Sequence, residues 1–82
     1  MFAVYILYSI KWQKIYIGYT SNLIARFYSH NYLATKGWTV RYRPWKVVHI
    51  EIYDDKKIAM EREAFLKSGQ GRKFIHAKIL NA

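Results

Sequence analysis

Residues 2–19 read Phe2-Ala3-Val4-Tyr5-Ile6-Leu7-Tyr8-Ser9-Ile10-Lys11-Trp12-Gln13-Lys14-Ile15-Tyr16-Ile17-Gly18-Tyr19, and they decide the architecture. Phe2, Val4, Ile6 and Tyr8 alternate with Ala3, Tyr5 and Leu7, the period of two that a strand requires. Lys14 to Tyr19 repeats the pattern, with Ile15, Ile17 and Tyr19 set against Lys14, Tyr16 and Gly18. Ser9 to Gln13 is left for the turn, so the segment predicts a hairpin. If the turn sets Tyr8 opposite Ile15, then Leu7 faces Tyr16 and Tyr5 faces Gly18. Opposed residues share a face, as do residues two apart on one strand. Tyr5 and Tyr16 then become diagonal neighbours, with Gly18 leaving space beside Tyr5. A slip of one residue would separate them. Tyrosine is a favoured strand residue, so this pair alone reads as ordinary sheet packing.

Downstream of the hairpin, Thr20 and Ser21 are N-cap candidates for a helix over about Asn22 to Leu33, with Leu23, Ile24 and Phe27 on one side. Arg26 and His30 lie one turn apart on that helix and flank its apolar stripe. Lys46 to Tyr53 predicts a third strand, Val48, Ile50 and Ile52 alternating against Val47, His49 and Glu51. Asp54 or Asp55 would cap a second helix running to about Ser68, with Ile58, Ala59, Phe65 and Leu66 as its stripe. Gly69-Gln70-Gly71 should break it before a short basic helix, Arg72 to Leu80. The order is β-β-α-β-α-α. It predicts an α/β (α+β) fold, a small three-stranded sheet flanked by helices.

The chain has 82 residues, room for one domain over residues 1–82. With 52% apolar residues, 18% of the chain aromatic, it can build a core without staples. Cysteine is absent, which excludes disulfides and a thiolate zinc site. The apolar run at the N-terminus is about eight residues, too short for a signal peptide or a membrane span, and the expectation is a soluble cytoplasmic protein. Fourteen Lys and Arg oppose five Asp and Glu, a formal charge of +9 that favours a polyanionic partner.

That charge gives two regions meaning. From Tyr32 to Trp45 there is no acid, and cations interleave with rings: Lys36, Trp38, Arg41, Tyr42, Arg43, Trp45 and then Lys46. Cations position phosphates, so Lys36, Arg41, Arg43 and Lys46 are candidate nucleic-acid contacts. Trp45, entering the strand after Pro44, reads as core. Glu63 is one of the five acids and flanks the apolar stripe of the second helix. A hard divalent cation takes oxygen ligands, so this carboxylate is a candidate metal ligand, although Lys67 at i+4 offers it a surface partner. Arg62 falls nearer the middle of the apolar arc than Glu63 does, which only snorkelling accounts for.

Together these positions resemble the GIY-YIG nuclease superfamily, in particular its small bacterial stand-alone members. Its second motif stands here as Tyr16-Ile17-Gly18, and its first as Ala3-Val4-Tyr5, which keeps the tyrosine. The family's helix arginine matches Arg26, a frequent following histidine matches His30, and the metal-binding glutamate matches Glu63. The resemblance covers nearly the whole chain. It implies the GIY-YIG endonuclease fold and a metal-dependent DNA endonuclease, with Mg²⁺ or Mn²⁺ as cofactor and repair or recombination as its setting. DNA, duplex or branched, is the implied partner, and RNA is a further one. Arg26 would stabilise charge on the phosphate, Glu63 would hold the metal, and a tyrosine would orient or deprotonate water. Tyr5 is the preferred base with Tyr16 positioning it, the opposite assignment staying open; His30 would assist proton transfer or hold a phosphate. The alternative is an inactive nucleic-acid-binding module of the same fold.

Overall fold

The computed structural model describes residues 1–80. Strands β1 (Phe2–Ser9) and β2 (Lys14–Thr20) form the hairpin, and β3 (Lys46–Tyr53) pairs with the other side of β1. The sheet order is β2-β1-β3, and both pairings are antiparallel. Being central, β1 is covered on both faces, and this is why Ala3 to Leu7 is a continuous buried run. Its alternation separates two cores instead of core from solvent. Val4, Ile6 and Ile17 face α3 (Lys56–Lys67), packing with Ala59, Leu66 and Ile75. Tyr5 and Leu7 face the other way, toward Trp45, Leu23 and Phe27. Each fully buried Leu or Ile contributes roughly 1.5–3 kcal/mol.

The hairpin register is Tyr8 with Ile15, Leu7 with Tyr16 and Tyr5 with Gly18. The β1–β3 pairing slips between Ile6 and Leu7, so the alternation of β3 changes phase at Val48. Val48 and His49 both turn toward the α3 side, Glu51 follows them inward, and Ile50 and Ile52 are left exposed.

Helix α1 (Leu23–Tyr28) starts at Asn22 instead of Thr20 or Ser21. The Asn22 side chain accepts from the Ala25 N–H at 3.1 Å, while the Thr20 hydroxyl accepts from the Asn22 N–H at 3.0 Å. Ile24, expected on the apolar side, is 74% exposed; Leu23 and Phe27 carry the packing. The helix then widens into a π-type turn over Ser29–Leu33. A short helix that the residue pattern did not reveal, α2 (Trp38–Arg41), follows. Asp55 caps α3, accepting from the Lys57 N–H at 2.8 Å. Gly69 and Gly71 do not break the chain; both lie in α4 (Gly69–Phe74), and the break falls at Ser68, which caps α4 through the Gly71 N–H. A Cβ on Gly71 would collide with the backbone of Phe65 and Leu66, so glycine is what lets α4 fold back on α3. Ile75–Ile79 closes the described chain as a second π-type turn. No helix among the described residues is long and apolar enough to cross a membrane.

Candidate active site

The observed register places Tyr5 and Tyr16 on one face as diagonal neighbours, their ring centres 6.2 Å apart. Gly18 opposes Tyr5. A Cβ there would lie 2.6 Å from the Tyr5 hydroxyl oxygen and 3.2 Å from the Tyr16 ring, so the missing side chain makes the opening. Arg26 approaches from α1 and Glu63 from α3, past the edge strand β2. Tyr5, Tyr16, Gly18, Arg26 and Glu63 line one groove of about 340 Å³. Four segments separated along the chain thus deliver two phenols, a guanidinium and a carboxylate to one place.

His30 stands behind this groove. The π-type turn brings both His30 and Asn31 inward, and both are buried. The Tyr5 hydroxyl lies 3.0 Å from His30 Nε2, and His30 Nδ1 lies 3.1 Å from the Thr39 hydroxyl. Burial, with Arg26 and Arg43 nearby, lowers the His30 pKa and keeps the ring neutral. Burial, then Tyr16, pushes the Tyr5 pKa up to about 12, against the opposing pull of Arg26. Tyr5 therefore keeps its proton at neutral pH, and the two contacts are met either by Tyr5 donating to Nε2 with Nδ1–H donating to Thr39, or by Nε2–H donating to Tyr5 with the Thr39 hydroxyl donating to Nδ1.

Asn31 and Thr39, which the pattern had not singled out, hold this arrangement together with Trp45, which is core as expected. Asn31 donates to the Trp45 carbonyl at 2.8 Å and accepts from the Trp45 N–H at 2.6 Å, pairing like a strand residue. The Trp45 indole N–H donates to the Thr39 carbonyl at 2.8 Å, which fixes the partner of His30. These contacts join residues 6–14 apart across an irregular loop, where no periodic pattern marks them.

The candidate contact residues separate. Lys36, Arg41 and Lys46 are exposed. Arg41 lies over the Tyr42 ring, and Lys46 borders an apolar hollow with Tyr8 and Ile10. Arg43 differs: its guanidinium donates to the carbonyls of His30 at 2.6 Å, Ser29 at 3.1 Å and Ala34 at 2.7 Å. Those bonds satisfy the end of the π-type turn, so its donors face the protein and not solvent. Arg62 also gains an explanation beyond snorkelling. It grips both carboxylate oxygens of Glu51, at 2.8 and 3.0 Å, between the rings of Phe65 and Phe74.

The donor set suits a hard cation. The Glu63 side chain is 20% exposed, and its ion pair is Lys67 at 3.5 Å. No cluster of three His, Cys, Asp or Glu exists among the described residues. A single carboxylate amid hydroxyls fits Mg²⁺ or Mn²⁺, which keeps several waters and takes further oxygens from a phosphate substrate.

A hairpin carrying two tyrosines beside a glycine, with arginine and glutamate converging from flanking helices, defines a GIY-YIG type of catalytic domain. Residues 1–74 match the GIY-YIG catalytic domain, and the chain belongs to that family, a class of nuclease domain. Among curated proteins it is 36% identical over 64 residues to a UPF0213 protein of Clostridium perfringens, covering 78% of this chain and 68% of the relative. UPF0213 proteins of Streptococcus pyogenes serotypes M5 and M3 are 40% and 39% identical over 62 residues, covering 73% of this chain and 65% of each relative. The match thus spans about two thirds of the curated relatives' length. No solved structure shows a significant match.

Proposed function

We propose that this protein is a divalent-metal-dependent endonuclease that hydrolyses phosphodiester bonds in DNA. The observation that carries the reading is the convergence of Tyr5, Tyr16, Arg26 and Glu63 on one groove of a +9 protein. Arg26 is exposed at the groove and placed to bind a phosphate and to stabilise the charge that grows on it during attack. Glu63 would hold Mg²⁺ or Mn²⁺, which when bound supplies Lewis acidity toward a phosphate oxygen. Tyr5 orients water through its hydroxyl. With its pKa at about 12 it stands as a neutral phenol at pH 7, and in the tautomer that turns the Nε2 lone pair toward it, its proton points at neutral His30. Tyr5 then takes a proton from water as it passes its own to His30 Nε2, and the imidazole is the final acceptor. Tyr16 packs against both rings, 4.5 Å from that of His30, and holds them in line. Lys36, Arg41 and Lys46 draw the DNA backbone by charge.

The test is a cleavage panel of duplex, nicked and branched DNA with Mg²⁺ or Mn²⁺, run on wild type, Glu63→Gln and Glu61→Gln. Glu61 is exposed and belongs to a different hollow, so it is the matched control. Glu63→Gln should abolish cutting while binding in EDTA persists; Glu61→Gln should cut normally. Robust metal-dependent cutting by folded Glu63→Gln would sink the site. Binding without cutting by any version would replace the nuclease with a binding module.

A further inference from the structure

A second groove, about 460 Å³, runs along β2 and shares Tyr16 with the first. Its lining contains Lys14, Lys67, Arg72 and His76 and no acid. These four come from β2, the end of α3, α4 and the turn beyond it, so the fold assembles the patch from separated segments. Lys67 joins the two grooves, since it also pairs with Glu63.

One wall is Trp38, with 46% of its surface exposed. Its ring is held by Tyr42 at 4.8 Å, Trp45 at 5.6 Å and Tyr16 at 6.3 Å between centres. A large ring fixed by neighbours on some sides and open on another is a stacking platform. The rest of the groove supplies the cationic side chains of Lys14, Lys67 and Arg72. Paired bases in a duplex have both faces covered by their neighbours. An unpaired base can leave the stack and lie on a ring while its phosphates meet the cations.

We infer that this groove is a subsite for an unpaired DNA strand flanking the cut, with a base on Trp38 and phosphates on Lys14, Lys67 and Arg72. The substrate class is then DNA with a single-stranded segment beside the scissile bond, such as a flap, an overhang or a branch. The inference rests on the nuclease reading only for the identity of the neighbouring phosphate.

Binding in EDTA separates the two readings. Fluorescence anisotropy would compare a blunt duplex with the same duplex bearing a short unpaired tail, with 2-aminopurine at the junction. Wild type should prefer the tailed DNA by about tenfold, in line with one stacked base. Lys14→Gln with Arg72→Gln, both exposed positions, should bring the preference to within about twofold while circular dichroism stays unchanged. Trp38→Leu should remove the change in 2-aminopurine emission. Equal wild-type affinity for the two DNAs, or a full preference in the Lys14/Arg72 variant, would overturn the inference. A tail preference without any metal-dependent cutting would leave this subsite standing and remove the nuclease.

Discussion

The Tyr5 hydroxyl and Gly18 are so close that the smallest side chain at position 18 would lie 2.6 Å from the phenol oxygen. Tyr5 is fully buried and hydrogen-bonded to His30, so it has little room to give. Gly18→Ala should displace the phenol and cut the cleavage rate by at least about tenfold, as small misplacements of reacting groups do. The fold should survive, because Gly18 lies on an edge strand. Wild-type turnover by Gly18→Ala would show that the Tyr5 position is not critical.

Removing single hydroxyls distinguishes the two phenols. Tyr5→Phe should slow cleavage by about a hundredfold, the usual cost of losing a proton-transfer group. It also loses the His30 bond, worth about 1 kcal/mol, and melting should fall by about 4–8 °C. Tyr16 makes ring contacts to Tyr5, His30, Trp38 and Trp45, which Phe keeps. Tyr16→Phe should therefore melt near wild type. Unchanged rates in both variants would end the proposed proton path.

Arg41 and Arg43 should behave differently despite being two residues apart. Arg41→Gln should weaken DNA binding at low salt and flatten the salt dependence without altering melting. Arg43→Gln leaves carbonyls of the π-type turn without donors, and thermal unfolding should show a loss of about 1–3 kcal/mol. Equal melting temperatures for the two variants would refute this division.

Acid should loosen the opposite face of the sheet. Burial alone would raise the Glu51 pKa, but hydrogen bonds from Arg62, Tyr53 and His49 outweigh it and bring it from 4.5 to about 2. A folded-state pKa below the unfolded one contributes stability above pH 4.5 and loses it as pH falls toward 2. Glu51→Gln should be less stable than wild type by about 1–3 kcal/mol at pH 7. Urea unfolding along that acid limb should show the gap closing. A gap independent of pH would assign the effect to shape instead of charge.

The hairpin was legible because strand periodicity, opposed register and the Tyr16-Ile17-Gly18 motif all point to one pairing, and the observed register is that one. Arg26 and Glu63 line the groove, and each flanks an apolar stripe that docks on the sheet, a placement helix periodicity makes readable. The phase of β3 was not legible. Its bulge reverses which residues face inward, so a glutamate is covered and two isoleucines are exposed. Arg62 was opaque for the same reason: its partner Glu51 is 11 residues away and faces it only after the bulge. The role of Arg43 was hidden by the π-type turn, which no local propensity announces.

Tyr5 and Glu63 meet in one groove although they stand 58 positions apart in the chain. During synthesis from the N-terminus, the tyrosines and Arg26 exist well before the carboxylate does. Until α3 has emerged and docked against β1, the chain holds cations that attract nucleic acid but no complete cutting centre. On the proposed reading, folding itself becomes the step that arms the chain.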